Sequence, residues 1–317
     1  MKYRNRIRWQ RLVAAAVFGA VVALAPLRAP AQDEPIRFAI QAWPGVTVKT
    51  EVARQLLEAM GYATTNQELN PQFVYQGIRS DDVDVSLGAW MPAHEDMVQP
   101  LLDDGVAVEH AANLTGAIQG LAVPADTYEK GVHTVEDLVD NGGMFNREIY
   151  AIGAGAAMTR AFQDAVKNDY MDLGDWKVVP SSVAGMLSQV DRKTNKNEAI
   201  VFHGWKPHWM DIKYDIRFLE ADPEGKLAGM ETTVYTIVAD GWPDANPQAA
   251  RFLQQFRVPV QAQSKWIDGF SRQEKPAEEV AASWIRANMD RVAEWVDGVE
   301  TADGGSGLEA VRAKFGG

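Results

Sequence analysis

Three tryptophans in this chain each close a strand-like run of residues. The runs are IRFAIQAW, ending at Trp43, VDVSLGAW, ending at Trp90, and IVFHGW, ending at Trp205. In α/β proteins, ligand crevices open at the carboxyl ends of strands, and one indole face attracts a cation by roughly 0.5–2 kcal/mol. A quaternary ammonium has no N–H to donate, so aromatic faces are a natural way to hold it. We therefore predict that these three side chains surround a methylated onium group.

The alternative is that these tryptophans only pack in the core, as most of the 10 in the chain must. Turn-forming prolines follow each of the three strand ends closely, which favours the binding interpretation over the packing one. Three other tryptophans belong to helix-like segments and are predicted to be core residues: Trp266, Trp284 and Trp295. Trp209 is the substitute if one of the first three proves structural.

A glycine-containing turn, Gly153-Ala154-Gly155, precedes a helix-like segment that starts near Ala156. Backbone N–H groups at the start of a helix point outwards and bind anions, helped by the helix dipole. We predict that the amides of Gly155 and Ala156 bind a carboxylate on the ligand. A plain tight turn between strand and helix explains the same glycines equally well.

The motifs of common enzymes and metal sites are missing from the sequence. The five histidines form no H-x-H or H-E-x-x-H pattern, and neither a G-x-S-x-G elbow nor a phosphate-binding G-x-x-x-x-G-K-[ST] loop occurs. Cysteine is absent, which excludes disulfides and thiolate chemistry. We therefore expect a binding protein with no enzymatic activity, no metal and no cofactor.

The first residues read as a secretory signal peptide, assigned to 1–31. Basic residues fill the start of the chain, an apolar stretch runs from Leu12 to Leu24, and Ala29-Pro30-Ala31 offers small residues for cleavage. The apolar stretch is shorter than the roughly 20 residues that span a bilayer. We expect a periplasmic protein with no membrane anchor.

Charge and length narrow the class of protein further. The net charge of −12 argues against nucleic acid and anionic membranes as partners. A chain of 317 residues can build two lobes at roughly 100–200 residues per domain. Both features suit a monomeric binding protein for a small molecule.

Strand-like and helix-like segments alternate along the chain, which is typical of open α/β sheets. Helices are predicted from a possible cap at Thr47 to a stop at Gly61, from about 156 to 166, and over 277–296. A short apolar segment, 73–75, and a turn-rich segment, 77–82, precede the strand that ends at Trp90.

Six sequence words carry a family resemblance: AWPG, LGAWMPAHED, GAIQGLAVP, IGAGAAMT, VVPSSVAGMLSQV and FHGWKPHWM, in this order. They resemble the substrate-binding proteins of ABC importers for glycine betaine, choline and related quaternary amines. The resemblance implies a periplasmic-binding-protein fold, with two α/β lobes joined by crossover hinge segments that close on the ligand. It assigns 32–116 and 228–317 to the first lobe and 117–227 to the second. Permease and ATPase subunits of an importer are the implied partners.

The resemblance also bears on the ligand. Choline-binding members carry an acid, a tyrosine and an asparagine where this chain has Gly45, Gln119 and Ala156. Betaine-binding members carry a histidine where this chain has Glu95, with His94 one place short. A carboxylate at Glu95 would repel a carboxylate ligand, yet the loss of the choline-type groups and the glycine turn favour glycine betaine.

Other ligands and another role are left open by the sequence. Choline is one alternative, and trimethylamine N-oxide, whose oxygen could share a proton with Glu95, is another. The same architecture also suits a periplasmic sensor that signals through a membrane receptor.

Overall fold

The computed structural model describes residues 34–220 and 222–316, so the predicted leader at 1–31 lies outside it. The chain begins with alternating strands and helices: β1 (Ile36–Ile40), α1 (Pro44–Ala59), β2 (Thr64–Glu68), α2 (Pro71–Arg79), β3 (Val85–Met91), α3 (Glu95–Asp103) and β4 (Ala107–Pro124). The middle contains α4 (Ala125–Glu129), α5 (Val135–Asp140), β5 (Glu148–Ala151), α6 (Ala157–Lys167), β6 (Lys177–Pro180), α7 (Val183–Thr194), β7 (Val201–Lys206), α8 (Met210–Lys213), β8 (Ile216–Phe218) and β9 (Met230–Ala239). Helices complete the chain: α9 (Trp242–Ala245), α10 (Pro247–Gln255), α11 (Val260–Ile267), α12 (Ala277–Ala287), α13 (Met289–Trp295) and α14 (Gly307–Phe315).

One mixed sheet runs through the molecule in the order β2-β1-β3-β9-β4-β7-β5-β6, with β8 also paired to β4. The long strand β4 pairs with β9 along Ala107–Gln119 and with β7 along Ile118–Ala122. It therefore passes from one half of the sheet to the other. We call the half with β1, β2, β3 and β9 the first lobe, and the half with β5, β6, β7 and β8 the second lobe. The predicted α/β class with two lobes is confirmed.

The lobes are joined along β4, and Gly120 lies where its pairing passes from β9 to β7. The φ of Gly120 is +156°, and a Cβ at this position would collide with the carbonyl of Ala228 on the returning chain. Only glycine allows the two connecting segments to approach so closely. The residue boundaries of the lobes stay a prediction.

Each lobe has its own apolar core. In the first lobe, α1 and helices from the end of the chain cover the sheet, with Phe38, Leu56 and Trp266 fully buried. In the second lobe, Phe162 and Phe202 lie at the centres of two neighbouring clusters. The packing of α/β layers thus places the ends of several strands at the junction between the lobes.

Three helical tryptophans pack in the first lobe, as predicted. Trp266 and Trp295 are 0% and 1% exposed, and Trp284 packs between them. The ring centroids of Trp266 and Trp284 lie 5.0 Å apart edge to face, and those of Trp284 and Trp295 lie 5.3 Å apart in a stacked arrangement.

Some predicted element boundaries are wrong. Helix α1 begins at Pro44, not after Thr47, because proline is favoured in the first helical turn, where no N–H is needed. The segment 73–75 belongs to α2, which begins at Pro71 after Asn70. The helix predicted over 277–296 is interrupted at Asn288, whose φ of −133° and ψ of 40° are not helical.

Within the described ranges, no helix combines the length and apolar character that crossing a membrane requires. In the same ranges, no three His, Asp or Glu side chains come together as a metal site would need.

Candidate ligand-binding site

A cavity of about 40 Å³ lies between the two lobes. A single water molecule needs roughly 10–15 Å³, so the cavity suits a compact ligand. Its walls come from α1, α11 and the β3–α3 connection in the first lobe, from β4, and from α6 and β7 in the second lobe. The lining residues are Trp43, Gly45, Val46, Lys49, Trp90, Ala93, His94, Gln119, Ile152, Ala156, Ala157, Met158, His203, Trp205, Gln263 and Ile267.

The three tryptophans singled out in the sequence all line this cavity. Trp43 connects β1 to α1, Trp90 lies near the end of β3, and Trp205 lies near the end of β7. Trp43 and Trp90 also pack against a core cluster of the second lobe that contains Trp205. The strand ends therefore bring all three indoles to one place, and their contact with a ligand stays a prediction.

Histidine rings pack against two of these indoles. The centroids of Trp43 and His94 lie 5.6 Å apart. On the second lobe, Trp205 lies between His203 at 5.1 Å and His208 at 4.9 Å. These contacts fix the orientation of the indoles, which a rigid aromatic site requires.

His94 is a buried neutral ring at the cavity wall. It is 2% exposed, and its Nδ1 lies 2.7 Å from the hydroxyl of Tyr75. Burial, with a smaller contribution from the positive charge of Arg160, lowers the pKa of His94 to about 3. At neutral pH one ring nitrogen therefore donates and the other accepts a hydrogen bond.

Glu95 does not line the cavity, contrary to the expectation that it faces the ligand. It is the first residue of α3 and is exposed. Because the chain turns into α3 at this point, His94 reaches the cavity and Glu95 faces solvent. The repulsion expected between Glu95 and a ligand carboxylate is thereby removed.

The start of α6 forms part of the wall, but with different amides from those predicted. The N–H of Ala156 donates to the carbonyl of Gly153 at 2.9 Å, so it is already used. Gly155 does not line the cavity and lies against Gln72 of the first lobe.

The first helical residues of α6, Ala157 and Met158, do line the cavity. Their N–H groups have no partner inside the helix, because the first turn of any α-helix leaves its donors free. Free N–H donors at the start of a helix are a common binding site for an anionic group.

Several buried polar atoms at the wall have no hydrogen-bond partner within the described residues. They are Nε2 of Gln119, Oε1 of Gln263 and both ring nitrogens of His203. A buried polar group left unpaired costs about 1–3 kcal/mol. A bound ligand or its hydration water would supply the missing partners.

Lys49, His203 and Gln263 line the cavity but were not singled out in the sequence. The sequence did contain a signal for Lys49. This lysine lies between Val46 and Ala53 on the apolar face of a helix, where a charged side chain is unusual. For Gln263 no local signal existed, since α11 reaches the cavity only through tertiary packing. Trp209, the proposed substitute, lies elsewhere: its Nε1 donates to the hydroxyl of Ser271 at 2.6 Å.

Comparison with known proteins shows which family the chain belongs to. Residues 34–287 match the family model described as the substrate binding domain of ABC-type glycine betaine transport systems. The glycine betaine/carnitine transport binding protein GbuC of Listeria monocytogenes is 36% identical over 165 residues. That match covers 52% of this chain and 54% of GbuC, so it spans about half the length of each.

Two solved structures resemble the whole fold. An ABC-transporter choline binding protein in complex with choline is 31% identical, with a TM-score of 0.84 over 89% of this chain and 98% of that one. Lactococcal OpuAC complexed with glycine betaine is 29% identical, with a TM-score of 0.74 over 83% of this chain and 99% of that one. On its sequence match and on its fold, the chain belongs to the family of substrate-binding domains of ABC-type glycine betaine transport systems.

Proposed function

We propose that the protein captures a compact zwitterion of the glycine betaine type in the periplasm and delivers it to the permease and ATPase of an ABC importer. The family is one of transport binding domains rather than enzymes. The leader predicted at 1–31 supports secretion.

The observation that carries this proposal is that one cavity offers two kinds of recognition. Three indoles provide faces for a methylated ammonium. The amides of Ala157 and Met158 at the start of α6 provide donors for a carboxylate. A ligand that uses both carries a quaternary ammonium and a carboxylate a short distance apart.

His94 adds a third element of recognition. When the hydroxyl of Tyr75 donates to Nδ1, Nε2 of His94 carries the hydrogen and becomes a donor. A carboxylate in the cavity favours this tautomer. Its neutral donor suits an anion without adding a positive charge beside the onium group.

The alternative ligands would bind to fewer of the groups that line the cavity. Choline has no anionic end for the amides of α6. The oxygen of trimethylamine N-oxide would share a proton with Glu95. However, Glu95 is exposed and lies outside the cavity.

Calorimetric titration of the purified protein with glycine betaine, choline, carnitine, trimethylamine N-oxide and proline tests the proposal. We expect glycine betaine to bind more tightly than choline and trimethylamine N-oxide, and proline, which has no methylated nitrogen, to bind weakly. Tighter binding of choline than of glycine betaine would rule out a carboxylate site at α6.

A further inference from the structure

The cavity wall contains a buried amine. Lys49 follows Gly45 by one turn of α1 and is 1% exposed. Its Nζ donates to Oδ1 of Asn113 at 2.6 Å. The orientation of the Asn113 amide is fixed, because its Nδ2 donates to the carbonyl of Leu87 and to the hydroxyl of Thr236. Among the described residues, Asn113 is the one hydrogen-bond acceptor for an ammonium that has three donors.

The same wall contains no acid. The lining residues include Lys49 but neither aspartate nor glutamate. At Gly45, an added Cβ would lie only 2.8 Å from Nε2 of Gln263. The amide end of Gln263 thus lies directly beside Gly45. No carboxylate from the wall offsets a positive charge in the cavity.

The two histidines of the cavity wall do not titrate near neutral pH. Burial lowers the pKa of His94, before α3, and of His203, on β7, to about 3. Arg160 on α6 contributes to the lowered pKa of His94. Burial raises the pKa of Glu51 on α1, whose carboxylate pairs with Arg54. The cavity side chains from β4 and α11 are uncharged amides and one isoleucine. Burial alone lowers the pKa of Lys49 to about 7, so this lysine changes its charge between pH 6 and 8.

We propose that Lys49 determines the class of ligand: it disfavours a molecule whose only charge is positive and favours a zwitterion. This inference rests on the proposed function, because it concerns the same cavity. A pure cation beside an ammonium in a buried site is repelled strongly. The carboxylate of a zwitterion compensates that repulsion. A cation therefore binds to the form of the protein in which Lys49 is a neutral amine, and its binding releases a proton.

The unmodified protein provides the first test, by titration with choline and with glycine betaine at pH 6 and pH 8. The neutral fraction of a group with a pKa of about 7 rises about tenfold over this range. The Kd of choline should therefore fall about tenfold between pH 6 and pH 8, while that of glycine betaine changes much less. At pH 7, calorimetry in buffers of different ionisation enthalpy should show release of about half a proton with choline.

Lys49→Met provides the second test, because methionine has a similar shape without the charge. The variant should bind choline about tenfold more tightly than the unmodified protein at pH 6, with no proton release. Lys193→Met is the control, since Lys193 is also buried but lies on α7 against Tyr150, away from the cavity.

Two failures can be told apart. Equal pH profiles for choline and glycine betaine in the unmodified protein overturn the role of Lys49, whether or not the methionine variant folds. Failure of both ligands to bind the unmodified protein at any pH overturns the proposed function itself, and the role of Lys49 with it.

Discussion

Each of the three cavity tryptophans can contribute to binding in two ways, through the apolar area it buries and through the attraction of its π-face for a cation. Trp43, Trp90 and Trp205 line the cavity together. Leucine retains much of the apolar area but has no π-face, whereas phenylalanine retains a weaker π-face. Comparing these two replacements separates the contributions.

We predict that Trp90→Leu weakens glycine betaine binding by about tenfold or more, while Trp90→Phe loses distinctly less. The same order is expected at Trp43 and Trp205, and titration calorimetry measures it. Trp242→Leu is the control, since Trp242 is 7% exposed in the first lobe and does not line the cavity. Equal losses for leucine and phenylalanine at all three positions would show that the indoles supply only apolar area.

The ends of strands can be predicted from the sequence. The site residues that lie at strand ends were therefore predicted correctly to reach the cavity. Trp90 and Trp205 follow runs of β-branched and apolar residues, so their placement at the junction was predictable. Glu95 and His94 are adjacent, and only the start of α3 decides which of them reaches the cavity. Gln263 lies more than 200 positions after Gly45, so no local pattern could reveal that they touch.

At the scale of elements, the start of α6 is the proposed binding site for the carboxylate of the ligand. Ala156 has an extended conformation, with φ −74° and ψ 141°, which a following proline tolerates. Proline at the first helical position removes one N–H without disturbing the helix. The contribution of the Ala157 amide can therefore be tested without unfolding the element.

We predict that Ala157→Pro weakens glycine betaine binding by roughly 10- to 150-fold, since a hydrogen bond to a charged group contributes about 1.5–3 kcal/mol. Choline binding and Tm should stay nearly unchanged. Ala277→Pro is the matched control: it also occupies the first position of a helix, α12, after a residue with ψ 140°. Equal loss of both ligands would indicate that the proline distorts the cavity and that the amide does not bind a carboxylate.

Sequence patterns located the strands that end near Trp90 and Trp205 to within two residues, but they misjudged several helix ends. α1 and α2 both begin at prolines, Pro44 and Pro71, with no side-chain cap. The sequence reading relied on a capping residue, Thr47, whose hydroxyl instead donates to the carbonyl of Trp43 at 3.0 Å. Capping side chains and prolines can both mark the start of a helix. In α1 and α2 the prolines determine where the helix begins.

At the scale of the whole molecule, the lobes touch around the cavity. Besides the tryptophan contacts, Nε1 of Trp209 in the second lobe donates to the hydroxyl of Ser271 in the first lobe at 2.6 Å. Arg160 of α6 reaches the sulfur of Met97 on α3 at 3.5 Å. A ligand held by both lobes adds contacts that exist only when the lobes are together, and only such differential contacts shift the equilibrium towards closure.

We predict that saturating glycine betaine lowers the radius of gyration measured by small-angle scattering. Ser271→Ala removes the hydrogen bond between Trp209 and Ser271 that joins the lobes, so it should favour the open form. Because a hydrogen bond contributes about 0.5–1.5 kcal/mol net, affinity should fall roughly 2- to 10-fold, while the saturated protein should still close. Ser188→Ala is the control, because the Ser188 hydroxyl is exposed and donates only to its own helix, at the carbonyl of Ala184. A scattering curve that stays the same at proven saturation would mean a rigid pocket, and a permease could then not distinguish loaded from empty protein by the closure of its lobes.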